Sequence, residues 1–200
     1  MSRCKVKIEP SVLLLLAGFV LLSSPALLAA LLLAALCHEL GHYAILRLVG
    51  GYVKELSLTV FGAEMQVVGR TGYGGEFLTT LAGPGVNLLL AVGFSLLGKR
   101  AELLYLFSGA QAVLGVFNLL PIRPLDGGTL LWIAVAYCTE PYTADRVTAW
   151  VGFGAALCLT GAAAALLLRV GGTPFFLLAI LGLLWHSGRE IGLVKRLRKR

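Results

Sequence analysis

The sequence predicts an all-α polytopic membrane protein, with about six transmembrane helices, the fourth of them broken, and a small membrane-associated β-hairpin after the second. Three observations carry this prediction. Of the 200 residues, 58% are hydrophobic and only 14% charged, and the mean hydropathy is +0.88, well above what a soluble domain shows. Apolar runs recur along the whole chain, separated by Gly, Pro or short polar stretches. The formal net charge of +7 is concentrated at the ends, in Arg3, Lys5 and Lys7 and again in Arg189, Lys195, Arg196, Arg198, Lys199 and Arg200. By the positive-inside bias both termini face the cytoplasm, which requires an even number of crossings. The basic tail suits anionic lipid, whereas nucleic acid is not an expected partner because no fold for it is present.

The helices are expected at about 8–23, 26–49, 76–98, 103–138 with a break at 118–128, 147–169 and 173–187, within one membrane domain spanning 1–200. The first apolar run is short for a crossing and is counted from Ile8 to reach adequate length. Ser23-Ser24-Pro25-Ala26 makes a turn rather than a signal-peptide cleavage site, so the run is read as a retained helix. The second helix ends at Gly50-Gly51. Between Tyr52 and Gly74 apolar and polar residues alternate (Leu56, Ser57, Leu58, Thr59, Val60), which predicts a hairpin. An unpaired edge there could dock an extended chain by strand addition, or the hairpin is a plain connection.

The third helix contains Ala82-Gly83-Pro84-Gly85-Val86-Asn87, where Gly and Pro permit bending and close approach. Asn87 is expected to hydrogen-bond a neighbouring helix, mainly for packing. Lys99 and Arg100 fall on the outer side and run against the positive-inside bias. The fourth run breaks at Asn118-Leu119-Leu120-Pro121-Ile122-Arg123-Pro124-Leu125-Asp126-Gly127-Gly128, which cannot continue a regular helix. Unwound backbone at membrane depth is tolerated only against protein or a wet cavity, so this segment is expected to line a site. Thr139 to Arg146 reads as a polar loop. Cys4, Cys37, Cys138 and Cys158 form no Cys-x-x-Cys pair and suggest neither a disulfide framework nor a cysteine metal site.

The chemistry centres on Cys37-His38-Glu39-Leu40-Gly41-His42. Ala26 to Leu36 before it are all Leu and Ala, so His-Glu-x-x-His sits inside a membrane helix. His38 and His42 are one turn apart on the same side, where two imidazoles can share a zinc ion, and Glu39 is placed to take a proton from a water. Ionisable groups in hydrocarbon cost roughly 2.5–3.5 kcal/mol each, so an accidental pattern is disfavoured. A catalytic zinc typically takes three protein ligands. For the third, Asp126 is the carboxylate in the broken segment, although it also reads as a helix N-cap. His186, Glu76 and Glu140 read as interfacial or boundary residues.

His38-Glu39-Leu40-Gly41-His42, Ala82-Gly83-Pro84 with Asn87, and Asn118-Leu119-Leu120-Pro121…Pro124-Leu125-Asp126-Gly127-Gly128 resemble, in order and spacing, the site-2 protease family of intramembrane zinc metalloproteases. The last segment is especially similar to the sporulation branch, whose enzyme releases pro-sigma-K from the membrane. The resemblance covers essentially the whole chain. It implies one zinc held by His38, His42 and Asp126, with Glu39 as general base and Asn118 holding substrate or stabilising the oxyanion. It also implies a membrane-tethered protein substrate, a pro-sigma factor or other regulator, and a membrane inhibitor or regulator as a further partner. The chain has no room for the CBS or PDZ domain that many members carry, so nucleotide regulation is not expected. A membrane zinc transporter and an inactive protease relative are the competing readings. The first would spread ligands along a path, and the intact Glu39 argues against the second.

Overall fold

The computed structural model describes residues 5–8, 10, 17, 18, 20, 23–59, 62–69, 72–98, 101–170 and 175–197. The chain divides into two compact units, Met1–Asn118 and Leu119–Arg200. The first holds strands β1 (Lys5–Ile8), β2 (Tyr52–Thr59) and β3 (Gly62–Val68) and helices α1 (Pro25–Leu48), α2 (Tyr73–Leu97) and α3 (Glu102–Asn118). The second holds α4 (Asp126–Cys138), α5 (Pro141–Val170) and α6 (Phe175–Leu197).

Helix α1 begins where Ser24 accepts a hydrogen bond from the Leu27 amide through its Oγ, and Pro25 presets the first helical φ. Its buried residues Ala30, Ala34, His38 and Gly41 recur every three or four positions and form one stripe. Ala30 and Ala34 meet Ala110 of α3, with Leu106, Phe107 and Leu114 packed around them. Gly41 lies against α2 so closely that an added Cβ would stand 2.8 Å from the Ala82 carbonyl oxygen. The opposite faces are apolar and exposed: Leu32, Leu36 and Leu40 on α1 and Leu89, Val92 and Leu96 on α2. Among the described residues, Pro25–Leu48, Tyr73–Leu97 and Pro141–Arg169 are long and apolar enough to cross a bilayer, and this apolar exterior is that of a membrane protein.

Several expected boundaries move. The expected first crossing lies almost wholly outside the described residues, but Ile8 does not start it. Lys5–Ile8 is a strand that pairs parallel with Glu55–Leu58, and Lys7 makes an ion pair with Glu55. The expected hairpin is present, with β2 and β3 antiparallel and a register shift between Val53 and Glu55. It is therefore the larger part of a three-stranded sheet ordered β1-β2-β3. Helix α2 starts three residues early, at Tyr73. Helix α5 starts at Pro141 rather than near 147, because the Glu140 carbonyl accepts from the Thr143 and Ala144 amides and Pro141 suits the first turn. Helix α6 runs ten residues past the expected end at 187.

The break in the fourth apolar run stands as expected, with α3 ending at Asn118 and α4 beginning at Asp126. In the second unit the intervening residues are held from inside by Ile122 and Leu125, both buried. The Arg123–Pro124 peptide is cis. An added Cβ on Gly127 would lie 2.2 Å from the Leu119 carbonyl oxygen, and one on Gly128 would lie 2.6 Å from the Arg123 amide nitrogen. Only glycine permits the segment to fold back on the start of α4 this tightly.

Candidate metal centre

The first unit brings His38 and His42 together as the helix spacing predicts. Their Nε2 atoms are 3.1 Å apart, and the rings meet edge to face with centroids 4.6 Å apart. Each ring is oriented through its other nitrogen. His42 Nδ1 is 2.7 Å from the Thr79 carbonyl oxygen, which can only accept, so Nδ1 carries the proton. His38 Nδ1 is 2.7 Å from Asn87 Oδ1. The orientation of that amide is set from behind: Asn87 Nδ2 donates to the Ala34 carbonyl at 3.1 Å and to Gln111 Oε1 at 2.5 Å. Oδ1 must therefore face His38, and His38 Nδ1 is the donor. With both Nδ1 atoms protonated, both Nε2 lone pairs point at the same region.

That arrangement fits a shared zinc ion. Two nitrogens at Zn–N distances of about 2.0–2.1 Å in tetrahedral geometry are about 3.3 Å apart, close to the spacing found here. Imidazoles that bind metal typically donate their second N–H to a carbonyl, carboxylate or amide, and both do so.

The Gly-Pro segment of α2 acquires a specific purpose. An added Cβ on Gly83 would lie 2.3 Å from His42 Nε2, so the ring rests directly on the α2 backbone. Pro84, buried inside the helix, has no N–H to give to the preceding turn. Asn87 does more than pack: it is fully buried and holds His38. Sequence reasoning missed Gln111, although a lone amide in an apolar run is the same signal that marked Asn87. It also missed the Thr79 carbonyl, which no side-chain pattern could reveal.

Glu39 lies between the histidines on the same turn and is half-buried. Asn118 ends α3, where its Nδ2 donates to the Leu114 carbonyl at 3.1 Å and keeps a second N–H. Asp126 belongs to the second unit. It is the first residue of α4, and the N-cap position itself is taken by Leu125. His186 lies half-buried on α6.

The fold defines a class: a helical membrane protein carrying a paired-histidine helix braced by its neighbours. A solved structure titled a site-2 protease from Methanocaldococcus jannaschii shares this fold, with a TM-score of 0.68 over 93% of this chain and 90% of that one at 21% identity. No protein-family model matches the chain. It is 35% identical over 116 residues to a putative zinc metalloprotease of Synechocystis sp., and 36% identical over 121 residues to the putative zinc metalloprotease Rip3 of Mycobacterium tuberculosis. It is 31% identical over 135 residues to stage IV sporulation protein FB of Bacillus subtilis. These matches cover 52%, 52% and 64% of this chain, and 30%, 29% and 47% of those proteins, so the chain spans less than half the length of each. The chain is thus similar in sequence to zinc metalloproteases and to a stage IV sporulation protein, and it has the fold of the solved site-2 protease.

Proposed function

We propose that this chain is an intramembrane zinc metalloprotease that hydrolyses a peptide bond in or next to a transmembrane segment of a membrane-tethered protein. The observation that carries the reading is the histidine pair, whose Nδ1 atoms are both committed to acceptors so that both Nε2 atoms are poised to ligate. The relatives' description as zinc metalloproteases supports it. One zinc per chain is held by His38, His42 and Asp126. A zinc there supplies Lewis acidity toward water and the scissile carbonyl.

The residues of the chain do the rest. Glu39, beside the histidines without being one of the ligands, accepts the proton of the attacking water and returns it to the leaving amine nitrogen. Asn118 offers its remaining amide N–H to the carbonyl oxygen as negative charge develops there. Asn87 and Thr79 hold the imidazoles in the ligating tautomer through the reaction. A helical substrate has its peptide groups engaged, so it must be unwound first. Pairing with an outer strand of the β1-β2-β3 sheet would keep it extended. The substrate class we favour is a membrane-tethered regulator such as a pro-sigma factor, controlled by a membrane inhibitor, in a cell membrane with both termini cytoplasmic.

Metal analysis of purified wild-type and Asp126→Ala protein tests the ligand set. Wild type should hold about one zinc per chain and the variant much less. Tight, undiminished zinc in the variant would remove Asp126 from the set. A zinc transporter remains the second reading, and it predicts zinc flux into liposomes without peptide cleavage.

A further inference from the structure

We propose that Arg123 is a positioning residue: held by Trp132 and Asp145, its guanidinium fixes the unwound 119–125 segment and thereby the placement of Asp126. The inference rests on the reading of Asp126 as a ligand and concerns the second unit alone. Residues 119–125 lack a regular hydrogen-bond ladder, and local bonds such as Ile122 N–H to the Leu120 carbonyl and Leu125 N–H to the Ile122 carbonyl are what they have. Ile122 and Leu125 anchor the inner side by burial. The other side is anchored by Arg123. Its Nη1 lies 3.6 Å from Asp145 Oδ1, and its guanidinium carbon stands 5.5 Å from the centroid of the Trp132 ring. The same Asp145 oxygen accepts the Trp132 Nε1–H bond at 2.7 Å.

One carboxylate oxygen of α5 therefore holds a residue three positions before Asp126 and another six positions after it. Asp126 is bracketed on both sides by the same anchor. An isolated, partly exposed ion pair would be too weak to hold a segment. Here the guanidinium also lies over the Trp132 ring at cation–π distance, and its planar fork is a geometry that Lys does not reproduce. The cluster borders a cavity of about 170 Å³ that Glu190 of α6 also lines. Burial pushes the Glu190 carboxyl above its ordinary range, and the Arg123 guanidinium pulls it the other way.

The test uses the full chain with Trp150 and Trp185 replaced by Phe, so that Trp132 alone emits. Zinc dissociation constants are measured by chelator competition for Arg123→Gln, Arg123→Lys, Asp145→Asn and Asp126→Ala, together with the Trp132 emission maximum. Arg123→Gln should weaken zinc about ten- to hundred-fold and shift the emission maximum. Arg123→Lys should recover only part of the affinity. Asp145→Asn, which keeps an acceptor for Trp132 but loses the charge, should also weaken zinc. Zinc affinity within about twofold of wild type in Arg123→Gln, with Asp126→Ala clearly weakened, would overturn the positioning role and leave the ligand assignment standing. Unchanged affinity in Asp126→Ala would overturn the ligand assignment, and this inference with it. If Arg123→Gln does not fold, the same criterion is applied to Arg123→Lys.

Discussion

Asn87 carries more consequence than its place in an apolar helix suggests. Its amide is fully buried, its two N–H groups are given to Ala34 and Gln111, and its oxygen is left for His38. Asn87→Leu removes that oxygen and leaves the His38 N–H without its acceptor in a dry interior. Zinc affinity should fall about ten- to hundred-fold in chelator competition, and wild-type affinity would contradict the bracing role. Gly83→Ala acts from the other side, because its Cβ would collide with the His42 ring. The ring must move off the α2 backbone, so zinc retention should drop although no ligand has changed. At this scale the sequence was legible wherever chemistry resides in side-chain type: His38, Glu39 and His42 announce themselves by spacing and by the cost of polar groups in hydrocarbon. Asn87 announced its polarity but not its partner. The Thr79 carbonyl was invisible, since every residue has one.

The break between α3 and α4 is the element on which the second unit depends. Two prolines and two glycines foretold it, and the structure explains the glycines: Gly127 packs against the Leu119 carbonyl with no room for a methyl group. Gly127→Ala should lower stability by about 1–3 kcal/mol or more, read as a lower midpoint of thermal unfolding in detergent. An unshifted midpoint would contradict the tight packing. Glu190, beyond the expected sixth crossing, adds a pH dependence. Its carboxyl is pushed up by burial, against the opposing pull of Arg123 and His186 and with Asp145 pushing the same way. The folded state favours the neutral acid, so this contribution is present at acid pH and is lost as pH rises through the raised value. Glu190→Gln stays neutral throughout, so its unfolding midpoint relative to wild type should rise between about pH 5 and about pH 8. Elements were legible where the pattern was long and apolar. Lys5–Ile8 alternates over only four residues, and its strand forms because β2 lies alongside, a pairing no local window contains. Helices α5 and α6 exceed their apolar cores because helical hydrogen bonding continues into polar sequence.

At the scale of the whole molecule, three long apolar helices and the site-2 protease fold agree with the membrane architecture read from composition. The basic residues at both ends predict cytoplasmic termini, so reporter fusions at Met1 and at Arg200 should both report the cytoplasm, and opposite sides would require an odd number of crossings. The proposed proteolysis depends on Glu39 as the base. Glu39→Gln preserves size and hydrogen-bonding capacity but removes the carboxylate that takes the proton. In liposomes reconstituted with a membrane-tethered test substrate, wild type should cleave it. Glu39→Gln should retain zinc and its unfolding midpoint while cleavage falls by at least about 100-fold. Full cleavage by Glu39→Gln, with contaminating protease excluded, would contradict this account.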